Sequence, residues 1–311
     1  MEDNVLWLIC ERNGLRLCFY LLAPYLHEDE TNFYAKLIYS THKCFEDGNI
    51  PKVRFDKEKW YKTIHYMEND KRRTVDDFKV QELAIGFGFD RGHGIWSNIN
   101  AVPKKSNVEI VYPPKVLDVY GKSNVTELLQ EIADFYCLTT KDLNLSGSGG
   151  FFNSPISELS DLDIIIPINS VEQLSKINNQ KIPLSAKRVR HKEKYWPLRW
   201  INNFDLIVCP FFVYGNIEKP VVKVKETNKR IKGNVRITNT NYGIFNVPLY
   251  ECNGAIERLM VKTSFMRGKI ENDSEFNIDC PVYEVTDGLW AGKDIAVITT
   301  YQAAMELLNQ G

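Results

Sequence analysis

The sequence predicts an α/β (α+β) core between two mostly β segments. Two observations carry this reading. Residues 125–209 run in the order helix, strand, glycine turn, strand, helix, strand. The stretches before about residue 118 and after about residue 221 are short apolar runs broken by turn signals. The implied division is 1–118, a β-rich segment; 119–220, the core; and 221–311, a second β-rich segment.

Taken in order, residues 5–10 (VLWLIC) and 15–22 (LRLCFYLL) are apolar runs separated by Asn13 and Gly14. That dipeptide is a strong hairpin signal, because both residues tolerate positive φ. Residues 33–39 form a third strand. Residues 86–95 (GFGFDRGHGI) are too rich in glycine for a regular element and read as a loop or bulged strand. A short strand at 108–112 is stopped by Pro113 and Pro114. Val125, Leu128, Leu129, Ile132, Ala133 and Tyr136 then follow helical spacing, with Asn124 as cap and Glu127 three residues on. A strand at 143–145 leads into SGSGG. The continuous apolar run at 162–168 suits a strand buried on both faces. A short helix at 171–177 is capped by Ser170, and residues 204–209 (FDLIVC) form a strand ended by Pro210. Further strands are expected at 221–224, 234–237, 243–250, 261–266 and 276–285. The pieces FNVPLYE and FNIDCPVYE resemble each other and raise the possibility of a duplicated hairpin. The chain closes with a helix over 301–308.

Composition narrows the function classes. The chain has 311 residues, 44% of them hydrophobic and 25% charged, and a net charge of −1. No global field draws it to nucleic acid or membrane, so any attraction to phosphate is local. Seven cysteines form no CxxC pair, which argues against a zinc framework or disulfide scaffold. Most sit among apolar residues, as at 7–10 and 206–209, and read as buried free thiols of a reducing compartment. The first residues carry acids before a short apolar run, unlike a signal peptide. No run reaches the ~18 apolar residues of a membrane span. The expectation is a cytoplasmic protein without a membrane partner.

One constellation carries chemistry. Gly147 and Ser148 are followed by twelve residues, then Asp161-Leu162-Asp163 opens an apolar strand. Asp205 lies 42 residues after Asp163, inside a second apolar run. Alternate strand residues point to one face, so Asp161 and Asp163 can reach the same metal pair. Nucleotidyl transfer needs an activated hydroxyl and neutralised phosphate charge, and two Mg²⁺ ions about 4 Å apart supply both. In this reading Asp161, Asp163 and Asp205 are the metal ligands and catalytic residues, and Asp205 orients or deprotonates the acceptor. Gly147, Ser148 and Gly149 bind the phosphates through backbone N–H groups and the hydroxyl, with Gly150 helping the triphosphate approach. An aspartate inside FDLIVC is costly to bury unless paired or metal-bound. The competing reading has Asp161 capping a turn, Asp163 facing solvent and Asp205 salt-bridged.

SGSGGFFNSPISELSDLDIIIP followed by FDLIVCP resembles the DNA polymerase β-type nucleotidyltransferase superfamily, whose pattern is a Gly-Ser turn, an Asp-x-Asp strand and a later third aspartate. Here Ser146 precedes Gly147 and the turn carries extra glycine, a departure from that pattern. The wider layout resembles uncharacterised archaeal predicted nucleotidyltransferases, on domain order and residues 243–250. The resemblance implies a nucleotidyltransferase core with a mixed sheet. It also implies an enzyme that uses Mg²⁺ or Mn²⁺, as two ions, to move a nucleotide from an NTP such as ATP to a hydroxyl.

The acceptor reading rests on local charge. Between 181 and 232 thirteen Lys or Arg face four acids, a balance of +9 in a chain of net −1. Basic residues there interleave with Tyr195, Trp196 and Trp200, a combination that suits a phosphate backbone with stacked bases. Arg188, Arg190 and Arg199 are the candidate triphosphate or acceptor contacts. The expected partners are an NTP and a nucleic-acid acceptor, in particular an RNA 3′-end. Alternatives are transfer to a protein or small-molecule hydroxyl, as in AMP attachment, and a silent module that only binds nucleotide or nucleic acid. His93 reads as a loop histidine, and GFGFDRGHG lacks the strand–helix context of a dinucleotide fingerprint. Asn144 and Asn153 are glycosylation sites only in a secreted protein.

Overall fold

The computed structural model describes residues 6–21, 26, 31–44, 52–53, 57–68, 71–75, 77–104, 108–120, 126–152, 161–191, 194–202, 205–263 and 266–310. It is a strand-rich mixed α+β protein with two compact units. Met1–Pro113 with Phe151–Asn153 form the first, and Pro114–Gly150 with Ser154–Gly311 the second. The α/β sheet and the C-terminal β elements thus share one unit.

The first unit contains β1 (Leu6–Arg12), β2 (Leu15–Leu21), β3 (Asn32–Ser40), β4 (Lys52–Val53), β5 (Lys59–Lys62), β6 (His65–Glu68), β7 (Lys71–Thr74), α1 (Asp77–Gly86), β8 (Asp90–Arg91), β9 (Asn100–Pro103) and β10 (Val108–Val111). Its main sheet runs β10-β1-β2-β3-β5-β4, with β9 also on β3 and β8 on β9. The predicted hairpin is present: Arg12 pairs with Leu15, and Asn13 and Gly14 have φ of 52° and 74°. Positive φ at both positions is what a two-residue turn matched to strand twist requires. Leu8, Leu17, Phe19, Leu37, Val80, Ala84 and Phe89 fill one core cluster. Trp7, Tyr39 and Trp60 gather with Phe151 and Phe152 in another.

The expected loop over 86–95 resolves differently. Gly86 ends α1, which sequence periodicity did not predict, and β8 and a short 3-10 turn at Gly94–Trp96 follow. Val80, Gln81 and Ala84 are the inward residues of α1. One polar and two small-to-medium apolar residues make too thin a stripe to read from sequence.

The second unit contains α2 (Val116–Tyr120), α3 (Thr126–Phe135), β11 (Asn144–Leu145), α4 (Gly147–Phe152, whose last two residues belong to the first unit), β12 (Asp161–Ile168), α5 (Val171–Gln180), β13 (Lys187–His191), β14 (Lys194–Ile201) and β15 (Ile207–Tyr214). It continues with β16 (Lys223–Asn239), β17 (Leu249–Gly254), β18 (Arg258–Val261), β19 (Glu275–Asp287), β20 (Asp294–Ile298) and α6 (Tyr301–Leu308). α3 buries Leu128, Leu129, Ile132 and Ala133 as its spacing predicts, whereas its expected cap Asn124 lies outside the described residues. Ser170 caps α5 as expected, its side chain accepting from Gln173 N at 3.1 Å.

The five-stranded sheet runs β11-β12-β15-β14-β13. β12 and β15 are parallel and the other pairs antiparallel, so the sheet is mixed. The strand expected at 204–209 is shifted. Phe204 lies outside the described residues, β15 begins at Ile207, and it continues through Pro210 to Tyr214. Proline is tolerated because the antiparallel pairing with β14 reaches only Val208, so its missing N–H breaks no ladder on that side.

β16-β17-β18-β20-β19 close a barrel, with β18 parallel to β20. Val235, Ile237, Tyr250, Cys252, Leu259, Val261, Phe276, Ile278 and Ile298 are among its core residues. Residues 221–224 and 234–237, expected as separate strands, largely merge into the 17-residue β16, which is bulged near Asn228. The expected strand over 243–250 is mostly a 3-10 turn and loop leading into β17; of the strand expected over 261–266, Val261 ends β18, 262–263 lie outside any strand, and 264–265 are outside the described residues. The duplicated hairpin is not observed: FNVPLYE enters β17, whereas FNIDCPVYE is the body of β19. Among the described residues no helix is long and apolar enough to cross a membrane.

Candidate active site

β12 opens with Asp161 and Asp163 half-buried on one face, while Leu162, Ile164 and Ile166 are buried. Alternation along the strand produces this split. Parallel pairing sets Ile207 beside Asp161 and Cys209 beside Asp163. On the far side of β15, Ile201 pairs with Ile207, and alternation brings Arg199 onto the same face. Arg199 Nη1 lies 3.9 Å from Asp161 Oδ2. Its guanidinium stacks 4.5 Å from the Trp196 ring centroid. Its Nε is buried without a hydrogen-bond partner among the described residues.

The Gly-Ser turn is pressed against Asp163. Ser146 N donates to Asp163 O at 2.8 Å. Gly147 has φ 56°, and a Cβ there would lie 1.8 Å from Asp163 Oδ2. Only glycine fits, for conformation and for space. Ser146 is fully buried, Gly147 and Ser148 are half-buried, and Gly149 and Gly150 are buried. α4 opens at Gly147; Gly150 N donates to Ser146 O at 3.0 Å, which leaves the amides of Gly147, Ser148 and Gly149 without an acceptor inside the helix.

Asp205 falls outside this group. It is exposed, at φ 55°, in a bend before β15, and its N–H donates to Asn202 O at 3.2 Å. The desolvation cost expected of an aspartate inside a strand therefore does not arise. The third donor is Cys209, whose Sγ lies 3.6 Å from Asp161 Oδ2. One ligand atom each from Asp161, Asp163 and Cys209 lie within 4.8 Å of one another. Burial pushes the Cys209 thiol well above its ordinary pKa, the Asp163 and Asp161 carboxylates push the same way, and Arg199 and Arg267 oppose them.

The basic residues divide. Arg199 joins the carboxylates. Arg188 is exposed and pairs with Trp200, so alternation sets it on the opposite face of the sheet. The backbone of Arg190 pairs with Tyr195 beyond a bulge, and its side chain is outside the described set. Two cations were not anticipated. Arg267 Nη1 donates to Pro210 O at 2.7 Å, and its guanidinium lies 4.3 Å from the centroid of Phe211. Phe211 shares the face of Cys209 by alternation. Lys269 Nζ sits 4.3 Å from the Trp196 centroid. Both come from the turns after β18, where the sequence predicts a strand over 261–266. No motif marks them, and Cys209 needed the β12–β15 register. His93 is exposed in the first unit and makes no cap hydrogen bond. Asn144 accepts from Lys115 Nζ at 3.0 Å, and Asn153 is outside the described residues.

The donor set tests the expected ions. Two carboxylates fit a hard divalent cation, while the thiol is a poor Mg²⁺ ligand. In comparison with known proteins, the chain matches no protein-family model, no curated protein and no solved structure.

Proposed function

We propose that the protein is a metal-dependent nucleotidyltransferase of the polymerase-β type, moving a nucleotide from an NTP to a hydroxyl acceptor, in particular an RNA 3′-end. The observation that carries this reading is the fit of the Gly147 turn against Asp163. A glycine turn and a carboxylate pair meet on one face of a mixed sheet. Asp161 and Asp163 would hold the metal, which when bound neutralises phosphate charge and favours the ionised acceptor hydroxyl. The Gly147, Ser148 and Gly149 amides and the Ser148 hydroxyl receive the β- and γ-phosphates. Arg199, with a buried N–H lacking an acceptor, supplies a cation at the carboxylates. The acceptor oxygen bonds to the α-phosphorus, its proton leaves, and pyrophosphate departs. The polymer acceptor is supported by Trp196, which carries Arg199 and Lys269 on its ring beside the carboxylates; Trp200, expected to stack a base, is fully buried and cannot, and Arg188 lies on the other face.

A second reading, a nucleotide-binding module without catalysis, is favoured by the position of Asp205 outside the carboxylate group. Labelled NTPs incubated with Mg²⁺ or Mn²⁺ and a mixed RNA pool separate the two. Extended RNA supports the enzyme and its acceptor, and label on protein or small molecules moves the acceptor class. NTP binding with no transfer to any acceptor leaves the binding module.

A further inference from the structure

The donor beside the carboxylate pair is sulfur, and that choice has a consequence for the metal. Cys252 and Cys280 lie in the barrel core and Cys10 in a core cluster of the first unit, as expected of small apolar side chains. Cys209 is buried too, but it shares its face with Asp161, Asp163 and Arg199. Its Sγ lies 3.6 Å from Asp161 Oδ2. Two donors on one tetrahedral ion, with bonds of about 2.0–2.3 Å, stand about 3.5 Å apart. All three ligand atoms fall within 4.8 Å of one another, close enough to converge on a single ion by small rotations. Mg²⁺ demands hard oxygen donors in near-ideal octahedral geometry. A thiolate selects borderline and soft cations, zinc above all among the abundant ones.

We propose that Asp161, Asp163 and Cys209 form a three-ligand site for one thiophilic divalent cation of the zinc class, with the fourth position open to a phosphate oxygen or water. This rests on the reading that Asp161 and Asp163 hold the metal of the nucleotide site, and it changes that metal from a pair of Mg²⁺ ions. The thiol gives up its proton to solvent as the metal–sulfur bond forms. Asp205 plays no part in holding this ion.

The test uses the chelator-treated full-length protein, titrated with Co²⁺ and with Cd²⁺ while sulfur-to-metal charge-transfer absorption is followed. A band saturating at one ion per chain is expected. It disappears in Cys209→Ser and Cys209→Asp proteins that keep the wild-type far-UV circular dichroism, and it persists in Asp205→Asn. Zn²⁺ displaces Co²⁺, and a large excess of Mg²⁺ does not. No band in the wild type, a band that survives Cys209→Ser, or displacement by equimolar Mg²⁺ overturns the proposal. Cadmium-113 NMR of the wild-type protein decides without any variant: a sulfur-deshielded resonance supports the site, and an all-oxygen shift overturns it. The two readings fail separately. A sulfur-ligated ion with no nucleotide transfer leaves this site standing and removes the transferase. Transfer that runs on Mg²⁺ with no sulfur-to-metal band in the wild type removes this site and leaves the transferase.

Discussion

Gly147 has no room for a side chain. A methyl group there meets the Asp163 carboxylate, and positive φ disfavours any L-residue, so two penalties fall on one substitution. Gly147→Ala is expected to lower stability by about 1–3 kcal/mol by moving either the turn or the carboxylate. Denaturant unfolding reads the loss, and NTP affinity should fall with it. Unchanged stability and affinity would mean the turn and Asp163 are not locked together. The arginines give a paired prediction. Arg199→Ala should weaken NTP binding roughly tenfold or more, the scale of a lost charge-assisted hydrogen bond. Arg188→Ala, on the opposite face, should leave it unchanged. Calorimetry on the two proteins checks this, and equal effects would contradict the face assignment. At this scale the sequence was informative where chemistry is local: Asp161, Asp163 and Gly147 follow from strand alternation and turn geometry. Cys209, Arg267 and Lys269 were hidden because their placement depends on strand register and on a loop far along the chain.

Among the elements, the short 3-10 turn Thr140–Asp142 just before β11 shows how a local polar contact fixes the approach to the site. Thr139 N and Oγ1 both donate to Asp142 Oδ2 at 2.8 Å. These hydrogen bonds, the backbone one first, hold the Asp142 carboxyl below its ordinary value, and Lys115 adds to the effect. A depressed folded pKa means stability that is present above the unfolded value and lost as pH falls through the folded one. Asp142→Ala should therefore cost about 0.5–1 kcal/mol at neutral pH, as for a lost cap. The gap from wild type should close at pH values below the usual carboxylate range. Urea titrations at several pH values measure it, and a gap independent of pH would contradict the assigned cause. Capped and amphipathic elements such as α3, α5 and the β1–β2 hairpin were legible in the sequence. The start of β15 was not, since Asp205 and Leu206 look as strand-like as the residues after them. Helix α1 was not either, because its inward stripe is too thin.

For the whole molecule, the barrel cannot be treated apart from the sheet that carries the carboxylates. Phe245, in the connection between β16 and β17, stacks on Tyr214 of β15 with ring centroids 3.9 Å apart. Arg267, in the connection after β18, hydrogen-bonds the β15 backbone at Pro210. The return of β-like runs after residue 220, which suggests a division between 119–220 and 221–311, is a local signal and carries no information on which surfaces meet. The barrel connections instead bring Arg267 to the face that bears Cys209 and Lys269 to Trp196, so the second unit supplies both carboxylates and cations. Under the proposed function Asp161 and Asp163 carry nucleotide transfer. The most direct measurement is pyrophosphate release from α-labelled NTP with an RNA acceptor, across Mg²⁺, Mn²⁺ and Zn²⁺, in wild type and in Asp161→Asn/Asp163→Asn. Release coupled to acceptor labelling in the wild type, and reduced at least about a thousandfold (~4 kcal/mol of barrier) in the double variant, is predicted. Release that persists in the double variant, or is absent from the wild type with every metal, would contradict it.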